Sequence, residues 1–189
     1  IYPKGQIGVG NGLGNLFMGT NSGLNITTGD NNVAVGIYAL SSITTANNNS
    51  AFGERALFAD TSGDNNSAFG MNALTAHLSG INNSAFGVNA LGSSTTGYDN
   101  TAMGVYALEN SVGGYQNVAV GVYALGSNNS GGDNVAIGRS SLYGNTSGTN
   151  NVGIGINAGR TNSTGVKNTS IGAEAGYNAT GTNNVFMGY

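Results

Sequence analysis

The chain of 189 residues has no cysteine, no tryptophan, a single proline and only 7% charged residues. The absence of cysteine is compatible with an oxidising medium, where a free thiol would be a liability. A formal net charge of −3 gives no basic field for nucleic acid or for an anionic membrane surface. No apolar stretch approaches the roughly 20 residues that span a bilayer. We therefore expect neither a nucleic-acid partner nor direct membrane insertion.

What the sequence does contain is a repeat. With 39% hydrophobic residues and 34 glycines, the chain fits neither a disordered tract nor an ordinary enzyme domain. From Asn15 to Asn168 one phrase returns every seventeen residues, and it returns once more after sixteen, at Asn184. The phrase reads Asn, then Val, Ser or Thr, usually Ala, a large apolar residue and Gly. A fixed short period predicts a solenoid, with residues 1–14 as a lead-in and truncated first coil and 15–189 as the repeat. We expect the chain to be a piece of something longer.

The glycine of the phrase marks a corner, because only glycine takes positive φ without cost. Neighbouring side chains of a strand point to opposite faces. We place the large apolar column inside the coil, as its core: Val35, Phe52, Phe69, Phe86, Met103, Val120, Ile137, Ile154 and Ile171. Phe17 and Phe186, at the two ends of the alanine column, are expected to act as plugs.

The small third position then lies on the outer face. A free outer face has no need to be so small and so rarely polar, whereas a closely packed contact between chains does. We therefore predict a protomer interface at Ala34, Ala51, Ala68, Ala85, Ala102, Ala119 and Ala136.

A second phrase, usually Ala-Leu, follows the corner and predicts a second short strand in each coil. The fold class is then all-β, a parallel β-roll or β-solenoid of about eleven 17-residue coils. At about 4.8 Å per coil the rod would be about 48 Å long. The Asn column is expected to form amide ladders along it.

Three phrases carry a family resemblance: Asn32 to Gly36, Asn117 to Gly121 and Asn134 to Gly138, reading NVAVG or NVAIG. They resemble the YadA-like head repeat of trimeric autotransporter adhesins. The longer form, with Ala-Leu and a Thr-Thr-Gly turn, resembles repeats of phage tail fibres and bacterial surface fibres. The resemblance implies a left-handed roll, a homotrimer, further fibre domains and extracellular attachment at a cell surface or on a virion fibre. Head repeats of the autotransporters are shorter than seventeen residues, so the choice between these lineages stays open.

Catalytic patterns are weak. The single histidine, His77, is expected to be solvated, and Glu54, Asp60 and Asp64 are expected to be scattered surface charges. No cluster has metal-ligand spacing and no triad can be assembled. We predict no enzyme activity, no catalytic residue, no metal and no cofactor.

Tyrosines are the best candidates for recognition. Tyr98 and Tyr115 share one repeat position, and Tyr106 and Tyr123 share another, so each pair should stack along the rod. Such flat, amphipathic faces suit a sugar ring or a protein surface. The alternative is that they only brace the coil edges or the trimer seam.

Three function classes follow. The first is an attachment segment that binds a cell-surface glycan or protein receptor, and the second is a structural spacer in the same fibre. The third is an ice-binding solenoid, because one column contains Thr27, Thr44, Thr61, Thr95 and Thr146. Leu78, Val112 and Asn129 interrupt that column, which weakens a lattice match.

Overall fold

A computed structural model describes residues 7–10 and 14–188 of the chain. These residues form one twelve-stranded sheet whose strands follow one another in sequence order, and they contain no helix. The strands are β1 (Ile7–Gly10), β2 (Asn15–Met18), β3 (Val33–Val35), β4 (Ser50–Phe52), β5 (Ser67–Phe69), β6 (Ser84–Phe86), β7 (Thr101–Met103), β8 (Val118–Val120), β9 (Val135–Ile137), β10 (Val152–Ile154), β11 (Thr169–Ile171) and β12 (Val185–Met187). The chain is a β-solenoid.

Register follows the sequence period. Strands β2 to β12 are parallel, and each residue pairs with the equivalent residue of the next coil, as Ala51 does with Ala68 and Phe52 with Phe69. Strand β1 instead pairs antiparallel with β2. The predicted lead-in therefore contributes one strand, while the rest of residues 1–13, and Tyr189, lie outside the described part.

The corner glycines are required sterically, as the sequence predicts. Gly53 has φ 138°, and a Cβ placed on it would lie 2.6 Å from the carbonyl oxygen of Gly70. An L side chain rarely adopts this backbone conformation, and here its first atom would also collide with the backbone of the next coil. Each corner therefore allows the coils to stack at the spacing of parallel strands.

The second phrase forms a turn and not a second strand. Its leucine takes a left-handed conformation, with φ 52° at Leu74 and 51° at Leu91. That conformation costs about 1–2 kcal/mol for a residue with a Cβ, which burial of a leucine side chain, at about 1.5–3 kcal/mol, offsets. The turns still bond from coil to coil, because the Leu57 N–H donates to the Ala73 carbonyl at 3.0 Å. The prediction of two strands per coil is wrong.

The predicted inside and outside of the strand are also reversed. The alanines predicted to form the interface are fully buried within the coil, at 0% exposure: Ala34, Ala51, Ala68, Ala85, Ala102, Ala119 and Ala136. The residues predicted to form the core point outward and are half-buried or exposed: Val35, Phe52, Phe69, Phe86, Met103, Val120, Ile137, Ile154 and Ile171. The coil is too thin for large side chains from both walls, and the buried leucines of the turn already fill it.

The two ends of the stack also show that the inside of a coil holds a large side chain from only one wall. Phe17 stands in the alanine column and is buried, and Gly23 replaces the leucine of that coil. A Cβ on Gly23 would lie 2.6 Å from the Phe17 ring. At the other end the Phe186 ring is 2.7 Å from a Cβ placed on Gly176. A large residue from the strand is thus matched by a glycine in the turn.

Candidate functional site

One face of the rod carries an uninterrupted column of large apolar side chains. We name this column the apolar stripe; it consists of Met18, Val35, Phe52, Phe69, Phe86, Met103, Val120, Ile137, Ile154, Ile171 and Met187. Phe52 is 37% exposed and Met103 is 48% exposed. The three phenylalanines stack, with ring centroids 4.8 and 4.9 Å apart and planes inclined by 6°. The stripe has no charged member in any of its eleven coils.

A second column of exposed apolar residues follows the stripe in each coil. It lies just past the glycine corner, and Ile37, Met71 and Ile156 are 46–49% exposed in it. Only Glu54 and Arg139 introduce charges there. Exposed apolar columns of this kind are typical of surfaces that contact another molecule.

The predicted tyrosine stacking is confirmed. The Tyr98 and Tyr115 rings are 5.5 Å apart with planes inclined by 13°, and the Tyr106 and Tyr123 rings are 4.9 Å apart at 9°. Tyr98 and Tyr115 also form a backbone bridge, and the Tyr115 ring lies against Gly132. The structure does not bring the two pairs into one site, because no ring contact joins them within the described residues.

Sequence reasoning missed two aromatic and arginine clusters. In cluster 1 the Tyr38 and Phe58 rings meet edge to face, and the Arg55 guanidinium lies 5.4 Å from the Phe58 centroid. In cluster 2, the Tyr123 and Tyr143 rings also meet edge to face. The signal in the sequence is the recurrence, seventeen residues apart, of Tyr143, Arg160 and Tyr177.

Cluster 2 holds its arginine between two rings. The Arg160 guanidinium carbon is 5.5 Å from the Tyr143 centroid and 5.7 Å from the Tyr177 centroid. Its Nη1 donates a hydrogen bond of 2.8 Å to the Tyr177 hydroxyl. Beside it an open depression is lined by Asn157, Glu174, Tyr177 and Asn178. Cation–π contact and the hydrogen bond together fix the orientation of the guanidinium.

The single histidine is not solvated, contrary to the sequence prediction. His77 and Asp60 are both fully buried, and Nδ1 of His77 lies 3.7 Å from Oδ2 of Asp60. The other carboxylate oxygen accepts a 2.8 Å hydrogen bond from the Gly63 N–H. The His77 Nε2 lies 3.3 Å from Nδ2 of Asn83. The pair continues an internal polar column, with Ser94 next, and has no access for a substrate.

The asparagine ladder is confirmed as a structural element. Oδ1 of Asn83 accepts hydrogen bonds from both the backbone N–H and Nδ2 of Asn100, each at 3.1 Å. The same Nδ2 donates to the Gly114 carbonyl at 2.8 Å. Buried at 0% exposure, these amides satisfy backbone groups that the turn would otherwise leave unpaired.

The threonine column is also used within the rod. The hydroxyl of Thr44 donates to the Thr61 carbonyl at 3.0 Å, and that of Thr61 to the Leu78 carbonyl at 3.1 Å. These hydroxyl protons serve contacts between neighbouring coils, which reduces what the column can offer to an ice lattice.

Within residues 7–10 and 14–188, no group of three or more His, Cys, Asp or Glu side chains is arranged to hold a metal ion. None of the elements described is a helix long and apolar enough to cross a membrane. No family model, no curated protein and no solved structure matches the chain significantly.

Proposed function

We propose that the chain is one of three identical protomers of a non-catalytic extracellular fibre segment that attaches its bearer to a cell surface or host receptor. The observation that carries the proposal is the apolar stripe. It runs through eleven coils without a charged residue and is open to solvent in a single chain. Surfaces of this kind are usually covered in the working assembly.

The occupant that fits the stripe is another copy of the same rod. The stripe repeats once per coil, at the spacing of about 4.8 Å of hydrogen-bonded strands. Only a surface with the same rise per coil can contact the stripe residue of every coil. A parallel copy of the chain in register has that rise. The number three comes from the resemblance to YadA-like head repeats. The protomer interface is accordingly assigned to the outward apolar side chains and not to the buried alanines.

Attachment outside the cell is supported by the same resemblance and by the composition. The chain has no cysteine, and its polar surface is rich in uncharged Asn, Ser and Thr. A glycan or protein receptor, and further fibre domains on the same chain, are the partners in this proposal.

A structural spacer is the second candidate, and the regularity of the coils favours it. Ten successive parallel pairs from β2 to β12 keep one register. A spacer needs only this regular rise, whereas an attachment segment also needs a surface that binds. Binding of the labelled protein to host or target cells separates the two.

The assembly is tested by native mass spectrometry of the chain and of two matched variants. The stripe variant carries Phe52→Asn, Phe86→Asn and Met103→Asn; the control carries Leu78→Asn and Val112→Asn, exposed apolar residues in the threonine column. Asn129 already occupies that column, so the control should fold and remain trimeric.

We expect the wild-type chain and the control to have the mass of a trimer and the stripe variant to be monomeric. Circular dichroism checks that the β-sheet spectrum is retained. A monomeric wild-type chain, or a stripe variant that stays trimeric, would overturn the assignment of the interface. Binding of the trimer to cells supports the attachment function, whereas a trimer that does not bind cells supports the structural spacer.

A further inference from the structure

The two aromatic and arginine clusters are built alike, although they lie five coils apart. Tyr38 and Phe58 are separated by one coil and three residues, and so are Tyr123 and Tyr143. Their centroid distances are 6.1 and 6.2 Å, and their interplanar angles are 80° and 83°. The same edge-to-face unit therefore occurs twice in the same two surface columns.

Each unit also holds an arginine against a ring. Arg55 covers Phe58, and Arg160 covers Tyr143. The chain has three arginines in all, so two of them are used in this way. A guanidinium held against a ring loses little further freedom on binding, while its N–H groups can still donate hydrogen bonds.

Charge favours an uncharged ligand. Glu54 directly precedes Arg55, and Glu174 lines the depression beside Tyr177. With Glu54 next to Arg55 in the sequence, Glu174 in the depression beside cluster 2 and a chain charge of −3, we expect neither cluster to offer a strong positive field to a polyanion. Aromatic faces, planar donors and carboxylate or amide acceptors suit the apolar faces and hydroxyl groups of a neutral sugar.

We propose that clusters 1 and 2 are two binding sites for uncharged saccharide units of one polysaccharide chain. The proposal rests on the attachment function above and names its ligand class. Tyr38 and Tyr123, which are 37% and 38% exposed, present ring surface to the sugar, and Arg55 and Arg160 donate to its hydroxyls. Five coils place the sites about 24 Å apart along the rod. A polymer that spans both sites binds with the effective concentration of a linked ligand.

The experiment is isothermal titration of the intact chain with soluble glucan, mannan and galactan. A sulfated and a carboxylated polysaccharide are titrated in parallel as anionic comparisons. We expect at least one neutral polysaccharide to bind, with affinity that changes little between low and high salt. Binding of none of the three, or of the anionic polymers alone, would overturn the proposal.

Variants that remove the rings test whether the saccharide binds at clusters 1 and 2. Tyr123→Ala with Tyr143→Ala removes the rings of cluster 2, and Tyr38→Ala with Phe58→Ala those of cluster 1. Losing either site ends bivalent binding, so we expect Kd to rise by about 100-fold or more. The control, Leu78→Asn with Val112→Asn, changes exposed residues outside both clusters and should leave Kd unchanged. Equal losses in all three variants contradict the assignment.

Assembly is followed in the same samples. A cluster variant that loses sugar binding and also dissociates would assign the rings to the protomer contact and reject the proposal. Arg160→Lys keeps the charge but removes the planar fork, and we expect it to weaken binding about tenfold with the protomer number unchanged. Sugar binding by a monomeric wild-type chain would reject the trimer and leave this inference standing.

Discussion

Leu91→Ala tests which side chains fill the coil. Leu91 is fully buried, and its replacement removes three carbons, a loss of about 2.4 kcal/mol at about 0.8 kcal/mol for each CH₂ group. A residual cavity of roughly 50 Å³ adds about 1 kcal/mol at about 24 cal/mol per Å³. The φ of 51° is equally unfavourable for both residues, so the backbone term cancels. We expect a loss of about 3 to 4 kcal/mol in the free energy of unfolding.

The matched control is Leu78→Ala in the preceding coil. Leu78 is 45% exposed, so the same chemical change should cost less than about 1 kcal/mol. Urea unfolding followed by circular dichroism at one fixed protein concentration gives both values, because association makes stability depend on concentration. Equal costs for the two variants, or a Leu91→Ala cost under about 1 kcal/mol, would refute the description of the core.

Two further predictions concern buried polar groups. Asn100→Ala leaves the Gly114 carbonyl and the next backbone N–H of the ladder without partners, so we expect a loss of about 3 kcal/mol. Exposed Asn129→Ala is the control in the same urea assay, and equal losses would show the ladder to be dispensable. His77→Ser should cost about 3 kcal/mol because it removes the ring beside the buried Asp60 carboxylate and leaves a cavity, whereas adding Asp60→Ser should recover part of that loss. Strictly additive costs in this double-mutant cycle would show that the pair is not coupled.

The period, the parallel register and the corner glycines could be read from the sequence, because each depends on residues that recur at one position. The asparagine ladder could be predicted from the sequence for the same reason. Asn100 lies directly over Asn83 whatever the shape of the coil, so its partner follows from the spacing alone.

The inside of the coil could not be read in the same way. Alternation along a strand separates two faces but does not say which of them is buried. Side-chain size predicts the larger residues as the core, but the structure places Ala68 inside and Phe69 outside. The pairing of Phe17 with Gly23 indicates which face is buried. A glycine opposite a large residue shows that the strand position and the turn position fill the same space inside the coil.

The aromatic clusters could not be predicted from the repeat, because they are formed by contacts between different columns. Tyr123 and Tyr143 are twenty residues apart, so a search for equal positions in successive coils passes over them. The burial of His77 was missed for a related reason. Its column changes from Asp60 to His77 to Ser94, and only the fold shows that this column points inward.

The stacking of whole coils affects how such a protein changes length over evolution. Gain or loss of seventeen residues adds or removes one tier and leaves every other contact as it was. The last interval shows where a smaller change is absorbed. Asn168 reaches the Gly181 carbonyl across thirteen residues, where Asn151 reaches Gly165 across fourteen. Recombination between copies of the repeat therefore changes the length of the rod in steps of one strand spacing, and the one shorter interval has its missing residue in the polar turn.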